Sequence, residues 1–362
     1  MLKMAEEQFI VSARKYRPTT WETVVGQETI SSTLQHAIDT GHLAQAYLFC
    51  GPRGVGKTTC ARIFAKTINQ QEGDEQEDFS FNIFELDAAS NSGVDEIRSI
   101  TDQVRIVPQV GKYKVYIIDE VHMLSTNAFN AFLKTLEEPP PHAIFILATT
   151  EKHKIIPTIL SRCQVYDFNR ISIQDMANHL AYVAKQENIK FEPDALHVIA
   201  EKADGALRDA LSIFDQIVNY CDGNITYDAV IKNLNILDYD YYFKITDHLL
   251  KNEIHQSLLV FNEILENGFD GHNFINGLGS HLRNLLVSND AITLRLLEVS
   301  DNVKAKYNEQ SKSANLKFLI DGLKIIGETD VQYKSSKNQR LHVELALMKL
   351  SSLTAIEGEK KK

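Results

Sequence analysis

Five short apolar runs punctuate the first 170 positions, each closed by polar or turn-forming residues. Residues 46–50, 114–118 and 143–148 are nearly continuous rather than alternating, the pattern of strands buried on both faces of a parallel sheet. Residues 82–86 and 164–168 are shorter and more mixed. Between these runs the apolar positions recur at helical spacing, over 30–40, 60–66, 94–104 and 125–136. Asp95 and Glu96 suit a first helical turn, Ser125 caps the last of these segments, and Pro139, Pro140 and Pro141 stop it. Strands alternating with helices predict an α/β fold whose five strands run parallel. From Ile171 the texture is helical with no further strand run. One helix is expected over 195–202 and another from Gly205, with Leu207, Leu211 and Phe214 on one face. After a break at 221–224, helices are expected over 241–250, 254–266, 272–287, 291–299, 316–329 and 341–353. A charged, frayed tail follows from about residue 356.

A chain of 362 residues holds two or three domains, and 44% hydrophobic with 24% charged residues is an ordinary globular composition. No run of 18 apolar residues occurs, so no membrane span is expected. The first seven residues lack the apolar core of a signal peptide, which predicts a cytoplasmic protein. Cys50, Cys60, Cys163 and Cys221 form no C-x-x-C pair and read as reduced thiols, the first two packing as small hydrophobes. A net charge of −10 changes the picture of partners: a protein that coats nucleic acid unaided is usually basic. Any DNA contact is therefore expected from a local cluster or from a surface assembled with other chains.

The strongest chemical signal is the stretch from Gly51 to Thr59, which fits the phosphate-loop pattern G-x-x-x-x-G-K-S/T between an apolar run and a helical segment. Gly51, Gly54, Val55 and Gly56 let the backbone wrap so that successive amides face phosphate oxygens at a helix N-terminus. Lys57 is placed to reach the β- and γ-phosphates and Thr58 to ligate magnesium, with Thr59 behind it. The strand expected over 114–118 ends in Asp119 and Glu120, where ligand chemistry sits in parallel sheets. One carboxylate suits a metal and the other an attacking water. The next strand ends beside Thr150, which suits either a γ-phosphate contact or a simple strand end. Arg208 falls in the first turn of its helix against the dipole and calls for a compensating anion, either a phosphate or a carboxylate.

Further segments carry a family resemblance: 13–18 (Ala-Arg-Lys-Tyr-Arg-Pro), 87–91 (Asp-Ala-Ala-Ser-Asn), 118–124 (Ile-Asp-Glu-Val-His-Met-Leu), 133–140, Ser161-Arg162-Cys163 and 205–212. Together with the phosphate loop they span nearly all of residues 13–215, and the sequence resembles the gamma/tau subunits of bacterial DNA polymerase III, AAA+ ATPases of the clamp loader. The resemblance implies an AAA+ ATPase domain over 1–170, a helical lid over 171–235 and an oligomerisation collar over 236–355, the last by position alone. It makes ATP and magnesium the ligands. Lys57 and Thr58 would hold phosphate and metal, Asp119 would be the second metal group and Glu120 the base. Thr150 matches sensor 1 and Arg208 sensor 2, while Arg162 matches the finger that completes a neighbouring subunit's site. Tyr16, Arg17, Pro18 and Val25 would line the adenine pocket. The implied partners are other loader subunits in a ring, a sliding clamp and primed DNA; Arg98, Arg105 and Lys134 are the candidate DNA contacts.

Two departures from the family pattern matter. Members commonly carry a four-cysteine zinc module after the phosphate-loop helix, whereas residues 70–78 here are acidic and hold no cysteine or histidine, so no zinc is expected. Tau-type chains also continue into a segment that binds polymerase and helicase, and those partners are implied only if the natural chain extends beyond Lys362. A small-molecule kinase and an ATP-binding scaffold are the competing readings. The first fits the Asp119-Glu120 pair and the lid poorly, and the second requires damage to Lys57, Asp119 or Glu120, all of which are intact.

Overall fold

The structure, a computed structural model, describes residues 10–70, 79–221, 223–290, 292–297, 299 and 301–359. The acidic segment expected as a surface loop over 70–78 therefore lies outside the described residues except for Gln70. The chain divides into two compact units, Met1–Asn224 and Ile225–Lys362.

The first unit is built on five parallel strands: β1 (Ala46–Cys50), β2 (Ile83–Asp87), β3 (Lys114–Asp119), β4 (Ala143–Thr149) and β5 (Gln164–Asp167). They are ordered β2-β3-β4-β1-β5. The helices of this part are α1 (Ser12–Lys15), α2 (Glu28–Asp39), α3 (Lys57–Thr67), α4 (Val94–Val104), α5 (Thr126–Glu137) and α6 (Pro157–Leu160). The three interior strands are the three continuous apolar runs, and the edge strands β2 and β5 are the mixed ones. Because alternate side chains leave opposite faces of a strand, each run feeds two cores. Tyr47, Phe49, Ile117 and Ile146 pack with Leu34 of α2 and Phe64 of α3. Leu48, Tyr116, Ile118 and Phe145 pack with Ile97 of α4 and with Phe132 and Leu136 of α5. Ser125 caps α5, its hydroxyl accepting the Ala128 amide at 3.2 Å.

Three more helices complete this unit: α7 (Ile173–Gln186), α8 (Pro193–Lys202) and α9 (Leu207–Tyr220). The N-terminal arm is tied to them. The Ser12 amide donates to Asp215 of α9 at 2.7 Å, and Lys15 pairs with Glu187 at 2.6 Å. Contrary to the expectation of no strand after Ile171, two-residue strands occur at β6 (Lys190–Phe191) and β7 (Asn224–Ile225), with the Lys190 amide bonding the Gly223 carbonyl at 3.2 Å. Strands this short leave no periodic signature.

The second unit is helical: α10 (Tyr227–Leu234), α11 (Tyr239–Leu250), α12 (Ile254–Glu266), α13 (Gly271–Ser288), α14 (Asp301–Ser311), α15 (Leu316–Tyr333) and α16 (Gln339–Glu359). Two expectations are corrected here. Among the described residues of the stretch 291–299 the expected helix is replaced by a 3-10 turn at Leu294–Leu296, and Leu297 and Val299 are buried. Helix α14, which the apolar pattern did not announce, follows it. Its anchors are polar: Gln310 and Ser311 are buried beside Tyr307, so no apolar stripe marks it. In addition, α16 continues to Glu359, so the first residues of the expected charged tail are helical.

Candidate nucleotide site

The phosphate loop leaves β1 at the carboxyl edge of the sheet, beside Thr149, the register partner of Cys50 on β4. Gly51, Gly54 and Gly56 all have positive φ, at 147°, 77° and 105°. A Cβ on Gly51 would lie 2.4 Å from the Phe168 carbonyl oxygen, whereas one on Gly56 would meet nothing within 4 Å. The loop thus packs tightly on its inner side and leaves room at the start of α3, where the free amides of a helix N-terminus gather. Lys57 is 6% exposed and its ammonium donates to the carbonyls of Gly51 and Pro52, both at 2.7 Å. Burial pulls its pKa down, while Glu120 and Asp119 push the other way. A buried cation whose direct partners are neutral carbonyls is suited to take an anion.

The acids stand opposite. Thr58 donates its hydroxyl to Asp119 Oδ2 at 2.6 Å, and Asp119 Oδ1 accepts the Glu120 amide at 2.9 Å. Two oxygen ligands this close, one of them anionic, would fill about a third of magnesium's octahedral shell and leave the rest to phosphate oxygens and water, so the residues fit that ion. Glu120 takes the left-handed conformation at φ 47°, turning its side chain toward β4. There Oε2 accepts the Thr150 amide at 3.2 Å and the Thr150 hydroxyl at 2.9 Å.

Helix α9 reaches the loop at Arg208, whose amide faces the Gly54 carbonyl at 3.4 Å while the side chain is exposed. The four residues expected around adenine do not act alike. Tyr16 gives its hydroxyl to Glu187 and stands edge-on to Tyr182, with ring centroids 6.3 Å apart. Arg17 instead turns toward α3 and donates to Thr59 Oγ1 at 3.1 Å, beside the metal-side threonine. Burial lowers the pKa of its guanidinium, and the positive charges of Arg62 and Arg208 add to the effect. Arg62 is itself paired with Glu85, and Glu85 and Asp119 act on Arg17 in the opposite direction. Pro18 and Val25 are half-buried.

Residues 26–172 match a family model described as DNA polymerase III, delta subunit, and residues 175–223 match the DNA polymerase III clamp loader subunit ATPase lid domain. The DNA polymerase III subunit gamma of Buchnera aphidicola subsp. Baizongia pistaciae is 32% identical over 361 residues, covering 95% of this chain and 97% of that protein. The chain belongs to the DNA polymerase III gamma/tau family. The subunit tau of Bacillus subtilis is 39% identical over 350 residues, 93% of this chain, but the match spans 62% of that protein, and 42% of the Escherichia coli subunit tau. Among solved structures, the Thermotoga maritima RuvB Holliday junction branch migration motor aligns with TM-score 0.50 and 20% identity over 65% of this chain and 79% of that one. That likeness concerns fold alone, and it fits an AAA+ architecture.

Other expected residues of this gamma/tau chain lie away from the loop. Arg162, after α6, bonds Glu137 Oε1 and the Thr158 carbonyl, each at 2.7 Å. Asp167, at the end of β5 and close to Arg162 in the chain, is taken by Lys152 at 2.8 Å. Arg98 and Arg105 sit on and just after α4, and Lys134 sits on the neighbouring α5; all three are exposed, and Arg98 lies 3.6 Å from Asp95. Cys50 and Cys60 are buried, and burial pushes their thiols up, to about 11 and about 12. Sequence reading gave no role to His122, Thr149 or Glu151, which gather behind Glu120. The signal was present as the histidine two places after the acid pair, but only folding brings the end of β4 against it.

Proposed function

We propose that this chain is an ATP-hydrolysing motor subunit of a clamp loader, which binds ATP to open a sliding clamp on primed DNA and hydrolyses it to release both. The observation that carries this reading is the pair of contacts at the end of β3: Thr58 on Asp119 at 2.6 Å and Thr150 on Glu120 at 2.9 Å. One acid is committed to the metal-side threonine, which leaves the other to accept a proton from water. In this reading Lys57 and the amides of Gly54, Val55 and Gly56 hold the phosphates. Thr58 and Asp119 would hold a magnesium ion, which would supply positive charge beside the phosphates. Glu120 orients and deprotonates the attacking water, Thr150 fixes Glu120, and Arg208 brings the lid's charge to the γ-phosphate. Tyr16, Arg17, Pro18 and Val25 close the nucleoside side, Arg17 nearest the phosphates. Residues 1–170 are the ATPase domain, 171–235 the lid and 236–355 the collar that joins other loader subunits. Arg98, Arg105 and Lys134 supply DNA contacts that an acidic chain must localise. The protein is taken to work in the cytoplasm.

The test is steady-state ATP hydrolysis with and without primed DNA and clamp. Wild type should be stimulated by both. Lys57→Ala should lose ATP binding, and Glu120→Gln should bind ATP and lose at least about a hundredfold in rate. A Glu120→Gln protein that hydrolyses at the wild-type rate would remove Glu120 from the role of base.

A further inference from the structure

His122 occupies the 3-10 turn Val121–Met123 that follows β3, and its side chain is only 6% exposed. The imidazole touches three groups. Nδ1 lies 3.0 Å from Thr149 Oγ1 and 3.4 Å from Glu120 Oε2, and Nε2 lies 3.2 Å from Glu151 Oε1. Glu151 is itself fixed, by Lys154 at 2.8 Å and by its own amide, which donates to Thr149 Oγ1 at 3.0 Å. The ring is therefore clamped on its far side to the turn after β4 and presents its near nitrogen to the acid at the end of β3. Glu120 needs such a clamp. Its left-handed backbone is one that a non-glycine residue seldom adopts, and its carboxylate must stay in one orientation to meet a water. Thr150 and His122 both approach Oε2, and among the described residues Oε1 carries no hydrogen bond. Held at one oxygen, the carboxylate offers the other.

We propose that His122 is a positioning residue for Glu120, a brace that runs from Glu151 and Thr149 through the imidazole to the base. This deepens the reading of Glu120 as the base and rests on it. A histidine that merely fills the turn would touch the same atoms, but the two roles respond differently to substitution. Asparagine keeps a donor near the Nδ1 position and gives up the reach to Glu151. Glutamine reaches toward Glu151 and gives up Nδ1.

The experiment measures kcat, KM and the Kd of a non-hydrolysed ATP analogue for His122→Asn, His122→Gln and Glu151→Gln, each alone and in the Glu120→Gln background. His122→Gln should lower kcat about tenfold or more with Kd unchanged. His122→Asn, which keeps a donor near Nδ1 and loses the reach to Glu151, should fall several-fold, less than His122→Gln. Glu151→Gln, at a more exposed site and nearly isosteric, should slow kcat several-fold without loss of thermal stability. None should slow the Glu120→Gln protein further, because a residue that acts through Glu120 has nothing left to position. An unchanged kcat in His122→Gln, equal losses in His122→Asn and His122→Gln, or an added loss in the Glu120→Gln background would each overturn the proposal. A wild-type rate in Glu120→Gln itself would overturn the base assignment first and the brace with it. A slow Glu120→Gln beside an unaffected His122→Gln would sink the brace alone.

Discussion

Gly51 and Gly56 share a positive φ yet carry different loads. At Gly51 a methyl group would press into the Phe168 carbonyl at 2.4 Å, so the loop or the segment after β5 would have to move. At Gly56 the space is open, and alanine adds only the strain of its φ, about 1–3 kcal/mol. The two substitutions should therefore separate folding from binding. Gly51→Ala should lower the melting temperature of the ATP-free protein by more than Gly56→Ala does. Gly56→Ala should fold, and should lose most of the rise in melting temperature that ATP gives wild type, since the methyl group occupies room kept for phosphate. Thermal unfolding with and without ATP and magnesium checks both, and full ATP stabilisation of Gly56→Ala would contradict the second.

Helices α11, α13 and α14 meet around a buried polar chain that no periodicity foretells. His281 of α13 is 1% exposed; Nδ1 pairs with Tyr307 Oη at 3.0 Å and Nε2 with Gln310 Oε1 at 2.9 Å. Gln310 in turn donates to the Phe243 carbonyl at 2.8 Å and to Asp247 at 2.7 Å. The rings of Tyr242, Phe243 and Tyr307 surround the imidazole. Burial drives the His281 pKa down from 6.5 to about 4, against the bond that Nε2 makes to the Gln310 oxygen. Between those values the unfolded chain binds a proton that the folded one refuses. Stability contributed here is thus complete above about pH 6.5 and is lost as pH falls toward 4, on the order of 3 kcal/mol in all. Urea unfolding followed by circular dichroism should show His281→Gln less stable than wild type at pH 7 yet losing less between pH 7 and pH 4.5. Parallel acid limbs would place the loss in other groups.

At the scale of the assembled molecule, Arg162 and the basic surface make opposite demands. Arg162 is a third exposed and pairs with Glu137, a partly solvated contact worth roughly 0–1 kcal/mol. Arg162→Ala should barely change thermal stability or the subunit's own ATP binding. In mixed assemblies it should silence the neighbour's site and spare its own, because an arginine delivered to a γ-phosphate raises hydrolysis by about 10³–10⁵. Loss confined to the mutant subunit would end the trans assignment. For the DNA face, Arg98→Ala with Lys134→Ala should weaken binding evenly across sequences and make the salt slope shallower by roughly two. An unchanged slope in fluorescence anisotropy titrations would make both residues ordinary surface charges.

Some parts could be read from the chain alone, because there local pattern and global role coincide. Strands β1, β3 and β4 are buried on both faces and so read as continuous apolar runs. The phosphate loop follows because its glycines and Lys57 are adjacent in the chain, and Asp119 and Glu120 because strand ends are visible as run ends. Only the tertiary structure decided what depends on residues far apart in the chain. It turned Arg17 onto Thr59 while Tyr16 went to Glu187, placed Glu137 rather than Asp167 against Arg162, and set His122 between two strand ends. It also made a helix of α14, whose anchors are buried hydrogen bonds, and put a 3-10 turn in the apolar stretch before it. Apolar periodicity records which face of an element avoids water. It carries no record of which polar group waits on the other side.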